Sequence, residues 1–403
     1  MKLQDQPPVH LSYCLNIHPG ETWAENLAAI REHALAVREA VAPGAAFGLG
    51  MRLGNTAALE LVDTATRDEF RAFLATNNLY AFTINGFPYG RFHEEPVKEN
   101  VYKPDWRQVE RLDYTVRLGE ILADLLPEGV PGSISTVPCS YKEWLAEGDL
   151  SEAAVNLADC AHHLERLHAE KGADICLGLE PEPDCAMETT GETIAFIEEY
   201  MFDDGVKHLN TEYGHNPDEA RKMMQRRIGV CFDTCHVAVQ FEDVCDSLAQ
   251  YRKHDVRIAK VQISAALETD TSEEGLRQLG RFHDEVYLHQ VKVQSVANEV
   301  VSYPDLNDET LRNLSGGVTR AVRAHFHVPL YYEGTDVLNS TAIDLTPDFF
   351  TAAVEAGATQ FEVETYTFDV LPDELHALPV TESIAKELQW ARERIAGEVG
   401  SYQ

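Results

Sequence analysis

Three carboxylates follow short apolar runs of the sequence, where a charged side chain is costly to bury. They are Glu180, Asp233 and Glu364. A buried carboxylate without a partner either destabilises the fold by several kcal/mol or takes up a proton. A divalent cation removes that cost when it binds several carboxylates at once. The three positions therefore predict a metal site with these residues as ligands.

Other polar residues near the ends of apolar runs extend this set. Side chains two residues apart share one face of a strand, so Glu182 can face the same way as Glu180. Carboxylate and amide oxygens with one or two imidazoles suit Mn²⁺, Mg²⁺ or Co²⁺, and additional histidines suit Zn²⁺. Each residue also has a structural explanation, since Glu182 and Glu362 suit a solvated or salt-bridged rim, and His325 suits a core position or one behind the ligands. The further candidates are Glu182, His236, Gln262, His325, His327 and Glu362.

The elements that would position these residues are short runs, most of them continuously apolar. Strands that are buried on both faces have such continuously apolar sequences, which indicates parallel strands covered by helices. Amphipathic stretches lie between the runs, and Thr22-x-x-Glu25 and Thr66-x-x-Glu69 are capping boxes that predict helix starts. The candidate strands are Leu11–Asn16, Phe47–Arg52, Tyr80–Asn85, Ser133–Val137, Ile175–Glu180, Ile228–Asp233, Ile258–Ser264, His325–Tyr331 and Phe361–Thr365.

Repeated strand–helix units of this number and spacing predict an α/β fold, a (β/α)₈ TIM barrel with long βα loops. Nine candidate strands exceed eight, so one is expected outside the barrel. A doubly wound open sheet is the alternative, but it wants a glycine-rich phosphate turn, and Gly-x-Gly-x-x-Gly does not occur. We expect residues 1–403 to form one domain, with a hairpin inserted at residues 281–305.

Composition restricts the partners. The 403 residues include 33 Lys and Arg against 67 Asp and Glu, a net charge of −34. So negative a chain is unsuited to nucleic acid, whose binding needs clustered cations. No apolar run approaches the length of about 20 residues that a membrane helix needs, so no membrane insertion is expected. Eight cysteines without a Cys-x-x-Cys pair indicate reduced thiols and a cytoplasmic location.

Three short motifs resemble a known superfamily. Asp233-Thr234-Cys235-His236, with Leu179-Glu180-Pro181 upstream and Val363-Glu364 downstream, is similar to the xylose isomerase-like TIM barrels. The resemblance implies a metal site built from the ends of strands five to eight. His236 matches a histidine of that superfamily that contacts substrate or metal.

The resemblance also implies the ligand set. Carried over by motif, the ligands are Glu180, Asp233, Gln262 and Glu364. The position of Gln262 usually holds a histidine, so this member is open to question. His327 is the alternative source of an imidazole.

A longer set of motifs resembles the EboE proteins, described as metabolite-traffic proteins from gene clusters thought to make or export a small metabolite. It includes Asn16-x-His18-Pro19-Gly20-Glu21 and Asn85-Gly86-Phe87-Pro88-Tyr89-Gly90-x-Phe92-His93. The matched loops suit a polyhydroxylated or cyclic ligand, although Phe87 and Tyr89 equally suit a cover over the barrel mouth. The substrate-binding candidates are Asn16, His18, Arg52, Asn85, Phe87, Tyr89, His93 and His289.

The resulting hypothesis is a metal-dependent isomerase or epimerase acting on a sugar, a cyclitol or a related small polar metabolite. Glu180 and Glu364 would bind the metal and also move protons, His236 would steady the developing charge, and Glu182 would act as a general base. Two alternatives stay open. One is a metal-dependent hydrolase or lyase with extra histidine ligands, and the other is a non-catalytic metabolite-binding protein. A homodimer is also left open.

Overall fold

A computed structural model describes residues 1–93, 96–317 and 319–397. Its strands, in chain order, are β1 (Lys2–Asp5), β2 (Pro8–Tyr13), β3 (Phe47–Arg52), β4 (Leu79–Asn85), β5 (Gly132–Thr136), β6 (Ile175–Leu179), β7 (Ile228–Asp233), β8 (Ile258–Ile263), β9 (Leu267–Thr269), β10 (Val291–Ser295), β11 (Val300–Tyr303), β12 (Thr319–Ala324), β13 (Leu338–Ser340) and β14 (Gln360–Val363).

Helices precede and follow the strands along most of the chain. The α-helices are α1 (Trp23–Ala29), α2 (Leu35–Val41), α3 (Asn55–Leu61), α4 (Thr64–Thr76), α5 (Val109–Leu125), α6 (Asp149–Lys171), α7 (Thr190–Phe196), α8 (Val206–Tyr213), α9 (Pro217–Arg227), α10 (Thr234–Val239), α11 (Val244–Lys253), α12 (Glu273–Leu279), α13 (Asp308–Leu314), α14 (Pro347–Glu355) and α15 (Val380–Ile395). A π-helical segment joins α1 to α2, and another joins α7 to α8.

Strands β2 to β8 and β14 form a parallel barrel. Their order is β2-β14-β8-β7-β6-β5-β4-β3, with β1 antiparallel at the outer edge of β2. A parallel bridge between Cys14 and Gly50 closes the gap between β2 and β3. The Ser12 hydroxyl reinforces this closure, since it donates to Gly48 O at 2.7 Å and accepts from Gly50 N at 3.1 Å. The predicted (β/α)₈ barrel is therefore confirmed.

One predicted strand has different bounds and another is wrong. The first barrel strand ends at Tyr13, so Asn16 lies in the 3₁₀ turn Leu15–Ile17 that follows it rather than in the strand itself. Residues 325–331 form no strand, because Pro329 lacks an N–H and neighbouring backbone groups bond to separate segments, with Val328 N donating to Ala265 O. This run is the surplus candidate.

One predicted helix start is also wrong. Thr22 and Glu25 form the expected capping box at the start of α1. Helix α4, however, begins at Thr64 with Asp63 as its N-cap, and Thr66 lies inside the helix, where its hydroxyl donates to Asp63.

A second sheet follows β8 and lies outside the barrel. Its antiparallel strands run in the order β11-β10-β12-β9-β13, and β10 and β11 form a hairpin within residues 281–305. Buried Lys292 on β10 donates to Asp184 at 2.6 Å and to Glu188 at 2.9 Å, which ties the hairpin to the loop after β6. That the whole chain is one domain stays a prediction. Among the described residues, the helices are each too short or too polar to cross a membrane.

Candidate metal centre and adjoining cavity

The carboxyl ends of β6, β7 and β14 bring three carboxylates together. Asp233 is the last residue of β7, and Glu180 and Glu364 are the first residues after β6 and β14. One ligand atom from each lies within 4.8 Å of the others. Their exposed fractions are 4% for Glu180, 1% for Asp233 and 3% for Glu364, so all three are removed from water.

Hydrogen bonds position two of these carboxylates by one oxygen each. Asp233 Oδ1 accepts from Ser264 Oγ at 2.7 Å and from His236 N at 3.0 Å, while Asp233 Oδ2 has no partner. Glu364 Oε1 accepts from the side-chain amides of Asn16 at 2.7 Å and Asn85 at 2.9 Å.

Glu180 has the least support of the three. Its buried Oε2 has no hydrogen-bond partner. Buried polar atoms left without partners are costly, and charged ones more so. The cluster therefore contains two buried carboxylate oxygens without partners, Asp233 Oδ2 and Glu180 Oε2.

His327 completes the arrangement from the loop after β12. Its Nδ1 donates to the Glu364 carbonyl oxygen at 3.0 Å, and its buried Nε2 has no partner. Burial lowers the pKa of His327 to about 4, so the ring is neutral at pH 7. With the proton on Nδ1, Nε2 offers the lone pair that a metal ligand needs.

The electrostatics of the cluster call for a cation. Burial, followed by repulsion from the neighbouring carboxylates, raises the pKa of Glu180 and of Glu364 well above the usual value. Burial also opposes ionisation of Asp233, but His236, His327 and the bond from Ser264 outweigh it and lower its pKa. In the described part of the chain no lysine or arginine forms a salt bridge with these carboxylates, although the charge of Lys260 partly opposes the rise in the pKa of Glu180 and of Glu364. Three carboxylates with one neutral imidazole therefore fit a divalent metal ion.

Gln262 is placed less favourably than His327. Its Oε1 accepts from the Cys231 thiol at 2.8 Å, and the atom left without a partner is Nε2, an amide nitrogen that cannot bind a cation. It pairs with Asp233 in the β7–β8 register. The geometry favours His327 over Gln262, although the role of either residue stays a prediction.

A pair of histidines lies beside the cluster. His236 Nδ1 contacts Pro181 O at 2.9 Å, and His325 Nδ1 contacts Gln290 Oε1 at 2.7 Å. The Gln290 amide is oriented by its own bond to Pro183 O at 3.0 Å. Both Nδ1 atoms therefore donate, and the two Nε2 atoms lie 3.0 Å apart.

Glu182 is a fourth buried acid at the same end of the barrel. Tyr102 donates its hydroxyl to Glu182 Oε1 at 2.8 Å, and Glu182 Oε1 lies 3.9 Å from His325 Nδ1. Burial raises the pKa of Glu182 to about 7, although His236 and the Tyr102 hydroxyl lower it. A carboxyl group with a pKa near 7 is suited to proton transfer at neutral pH.

A cavity opens over this arrangement and contains many of the predicted site residues. Its floor is polar and its wall is largely aromatic and aliphatic. The predicted residues that line it are Asn16, Asn85, Phe87, Glu180, Glu182, His236, His327 and Glu364, together with His325, which the sequence also suggested as a core residue.

Two predicted substrate contacts lie behind the cavity instead of lining it. The Arg52 guanidinium donates to Gly20 O at 2.7 Å, Glu21 at 3.0 Å and Gly90 O at 2.6 Å, and so it joins two loops. Tyr89 packs edge-on against Tyr114 with ring centroids 5.1 Å apart. Neither lines the cavity, so substrate contact by either stays a prediction.

Three predicted histidines are likewise engaged behind the cavity lining. His18 Nε2 contacts the Tyr13 hydroxyl at 3.1 Å. His93 contacts Asn16 O at 2.6 Å through Nε2. His289 Nδ1 donates to His325 O at 2.8 Å, and its Nε2 bonds to Asp284. These contacts position the lining residues, and a direct role in substrate binding stays a prediction.

Sequence reasoning missed much of the wall. The rings that it did not assign are Phe92, Tyr102, Tyr287 and Tyr366. They come from three loops far apart in the chain, and no local periodicity marks them. The only signal was the position of Tyr102 and Phe92 near the residues that follow β4.

Comparisons with known proteins leave the family open. A scan against protein-family models finds no match, and a search of curated proteins finds none either.

Several solved structures are similar to the chain at low identity. The IolI protein with a bound zinc atom is 13% identical with a TM-score of 0.49, over 98% of this chain and 100% of that one. D-psicose 3-epimerase with D-tagatose from Clostridium cellulolyticum H10 has the same identity and TM-score, over 96% and 99%. An L-ribulose 3-epimerase is 12% identical with a TM-score of 0.47, over 98% and 99%. At these TM-scores the likenesses decide neither the fold nor the reaction.

Proposed function

We propose that the protein is a divalent-metal-dependent isomerase or epimerase that acts on a small polar metabolite such as a sugar or cyclitol. One observation carries the proposal. Glu180, Asp233 and Glu364 bring ligand atoms within 4.8 Å of one another at the carboxyl ends of barrel strands, with two of their oxygens buried and unpartnered. In barrels of this kind the active site lies at that end.

The residues that would hold the metal are Glu180, Asp233, Glu364 and His327. Ser264, Asn16 and Asn85 fix two of these carboxylates through hydrogen bonds. A divalent cation bound there would polarise a carbonyl oxygen of the substrate. The metal is proposed to be Mn²⁺, Mg²⁺, Co²⁺ or Zn²⁺.

Proton transfer is assigned to Glu182. It lines the cavity, and Tyr102 holds its carboxyl group by a bond of 2.8 Å. From there Glu182 would remove and return a proton at the carbon next to the substrate carbonyl. His236 lines the cavity beside the cluster and would steady the substrate oxygen that gains negative charge.

A second function has one observation in its favour. Glu182, His236 and His325 form another group whose ligand atoms lie within 4.8 Å of one another. A second metal ion there would suit a hydrolase or lyase. Counting the metal ions bound per chain separates the two reactions.

The wider context belongs to the same proposal. A role in metabolite traffic is part of it, and this role rests on the sequence motifs that resemble the EboE proteins. A cytoplasmic location is supported by the eight cysteines, all of which are free. The homodimer stays a prediction.

Hydrogen exchange tests the reaction. The Mn²⁺-loaded protein is incubated in D₂O with ketoses and an inosose, and NMR follows deuterium entering the carbon beside the carbonyl. We expect Glu182→Gln to slow exchange by about 100-fold or more while it keeps its metal. Glu387→Gln is the matched control, because Glu387 is also a buried acid with a pKa raised to about 7 by burial but lies outside the cavity. Equal exchange in both variants would contradict the role of Glu182. Ligand binding without exchange would favour the non-catalytic protein.

A further inference from the structure

The cavity wall joins three aromatic rings from distant parts of the chain. Phe92 lies 5.3 Å from both Tyr287 and Tyr366 between ring centroids, and the two tyrosines lie 5.1 Å apart. Tyr366 also lies 4.7 Å from the His327 ring, so the wall stands directly beside the candidate metal ligand. A ligand at His327 would therefore lie beside this wall.

The wall presents ring surfaces, since one hydroxyl of the group is already engaged. The Tyr287 hydroxyl contacts His93 Nδ1 at 2.9 Å, and His93 in turn contacts Asn16 O at 2.6 Å. Val97 and Leu288 extend the same lining with aliphatic surface. Such surfaces favour an apolar or ring-like portion of a ligand.

No free lysine or arginine is available for an anionic ligand among the lining residues that the structure describes. Lys98 is the lysine of that lining, and its three donors are all engaged, with Asp284 O at 3.2 Å, Tyr287 O at 2.6 Å and Asp305 at 2.8 Å. The guanidinium of Arg111 lies behind the lining and donates to three backbone carbonyls. In the metal-free protein a phosphate would instead meet the carboxylates of the floor.

We propose that the cavity selects a small metabolite without a phosphate or other anionic group, and that an apolar or ring-like portion of it packs on Phe92, Tyr287 and Tyr366. Its polar end carries two adjacent oxygens that face the floor. The orientation of that end rests on the proposed function. The preference for a ring without negative charge follows from the wall and from the lack of a free lysine or arginine in the lining.

Three probes separate these features. Catechol carries adjacent oxygens on an apolar ring, 4-sulfocatechol adds a permanent negative charge, and myo-inositol keeps the ring and the oxygens without an apolar face. Calorimetric titrations are run on both metal-free and Mn²⁺-loaded protein. We expect catechol to bind about tenfold or more tightly than either of the other two.

Substitutions test whether the wall is responsible. Phe92→Ala should weaken catechol binding about tenfold and leave the bound metal unchanged. Phe92→Leu, which keeps most of the apolar volume, should weaken it less and covers the case in which the alanine variant fails to fold. Phe73→Ala is the control, because this half-buried ring lies on α4 outside the cavity.

Failure of this inference is distinct from failure of the proposed function. Sulfocatechol binding as tightly as catechol, an unchanged catechol constant in Phe92→Ala, or no catechol binding at all would overturn the inference. A protein that holds no metal would overturn the proposed function. The relative affinities of the three probes for the metal-free protein would then still test the proposed selectivity.

Discussion

Two layers of charged side chains lie inside the same barrel, and only one contains its own cation. In the deeper layer, Lys260 on β8 contacts Glu362 on β14 at 2.5 Å, with exposed fractions of 0% and 1%. In the layer above it, here called the upper layer, ligand atoms of Glu364, Glu180 and Asp233 lie within 4.8 Å of one another. No lysine or arginine of the described chain forms a salt bridge with them.

The contrast shows two ways in which the barrel accommodates buried carboxylates. Glu362 lies on β14 and Glu364 directly follows this strand. Because they are two residues apart, both side chains face the interior of the barrel. The charge of Glu362 outweighs the burial that would lower the pKa of Lys260, and raises that pKa above its usual value. The neighbouring layer lacks an equivalent partner. The difference supports the proposal that a cation from solution would complete this neighbouring layer.

Removing the built-in cation should have the largest effect on stability. Lys260→Met leaves Glu362 buried and charged without a partner, and we expect it to lower the free energy of unfolding by about 3–5 kcal/mol. Urea denaturation of the metal-free protein measures this loss.

A double variant provides the control. Lys260→Met with Glu362→Leu removes both charges, so it should recover most of the stability. If the single lysine variant unfolds within about 1 kcal/mol of the wild type, the two layers are not different in the way described.

Metal bound to the upper layer should raise the free energy of unfolding by an amount that depends on pH. Glu180 and Glu364 have pKa values raised by burial and by mutual repulsion. Their protonation favours the metal-free fold at low pH, and this contribution is lost as pH rises from their ordinary value near 4.5 through the raised values. Metal binding requires them ionised, so it strengthens over the same range.

Thermal unfolding with and without Mn²⁺ measures this effect. At a concentration about 100 times the dissociation constant, the ion should add about 2.7 kcal/mol near pH 8. The gain should shrink towards pH 5 as the carboxylates take up protons. A gain that is the same at both ends of this range would contradict the carboxylate ligands.

The smallest effect is expected from neutralising one member of the upper layer in the metal-free protein. Glu180→Gln removes a buried carboxylate with an unpartnered oxygen, so it should raise the free energy of unfolding by about 1 kcal/mol near pH 8. Loss of stability in this variant, measured by urea denaturation of metal-free protein, would show that Glu180 already has a partner within the chain.

The positions of the three carboxylates can be predicted from sequence because their strands are buried on both faces. A charged residue at the end of such a run has few structural explanations, and the bounds of β3 and β7 are recovered as predicted. The run from His325 to Tyr331 has the same apolar appearance but forms a loop. Its conformation depends on backbone bonds to Gln290 and Ala265, which local pattern does not contain.

The cavity wall and the hydrogen-bonded residues behind it could not be predicted from local sequence pattern, for the same reason. Phe92, Tyr287 and Tyr366 come together only through the folding of three separate loops. Arg52 ends a barrel strand, as a substrate contact would, yet its three hydrogen bonds join loops instead. Sequence places a residue near the site, whereas the partners that occupy its side chain are set by tertiary structure.

Metal titration of two matched variants tests the central claim most directly. Calorimetry with Mn²⁺, Co²⁺ and Zn²⁺, checked by elemental analysis after dialysis, gives the number of ions bound per chain. The wild type and Glu387→Gln should bind about one ion tightly, and Asp233→Asn should bind at least about 100-fold more weakly. A wild type without stoichiometric metal, or an Asp233→Asn variant with unchanged affinity, would contradict the account.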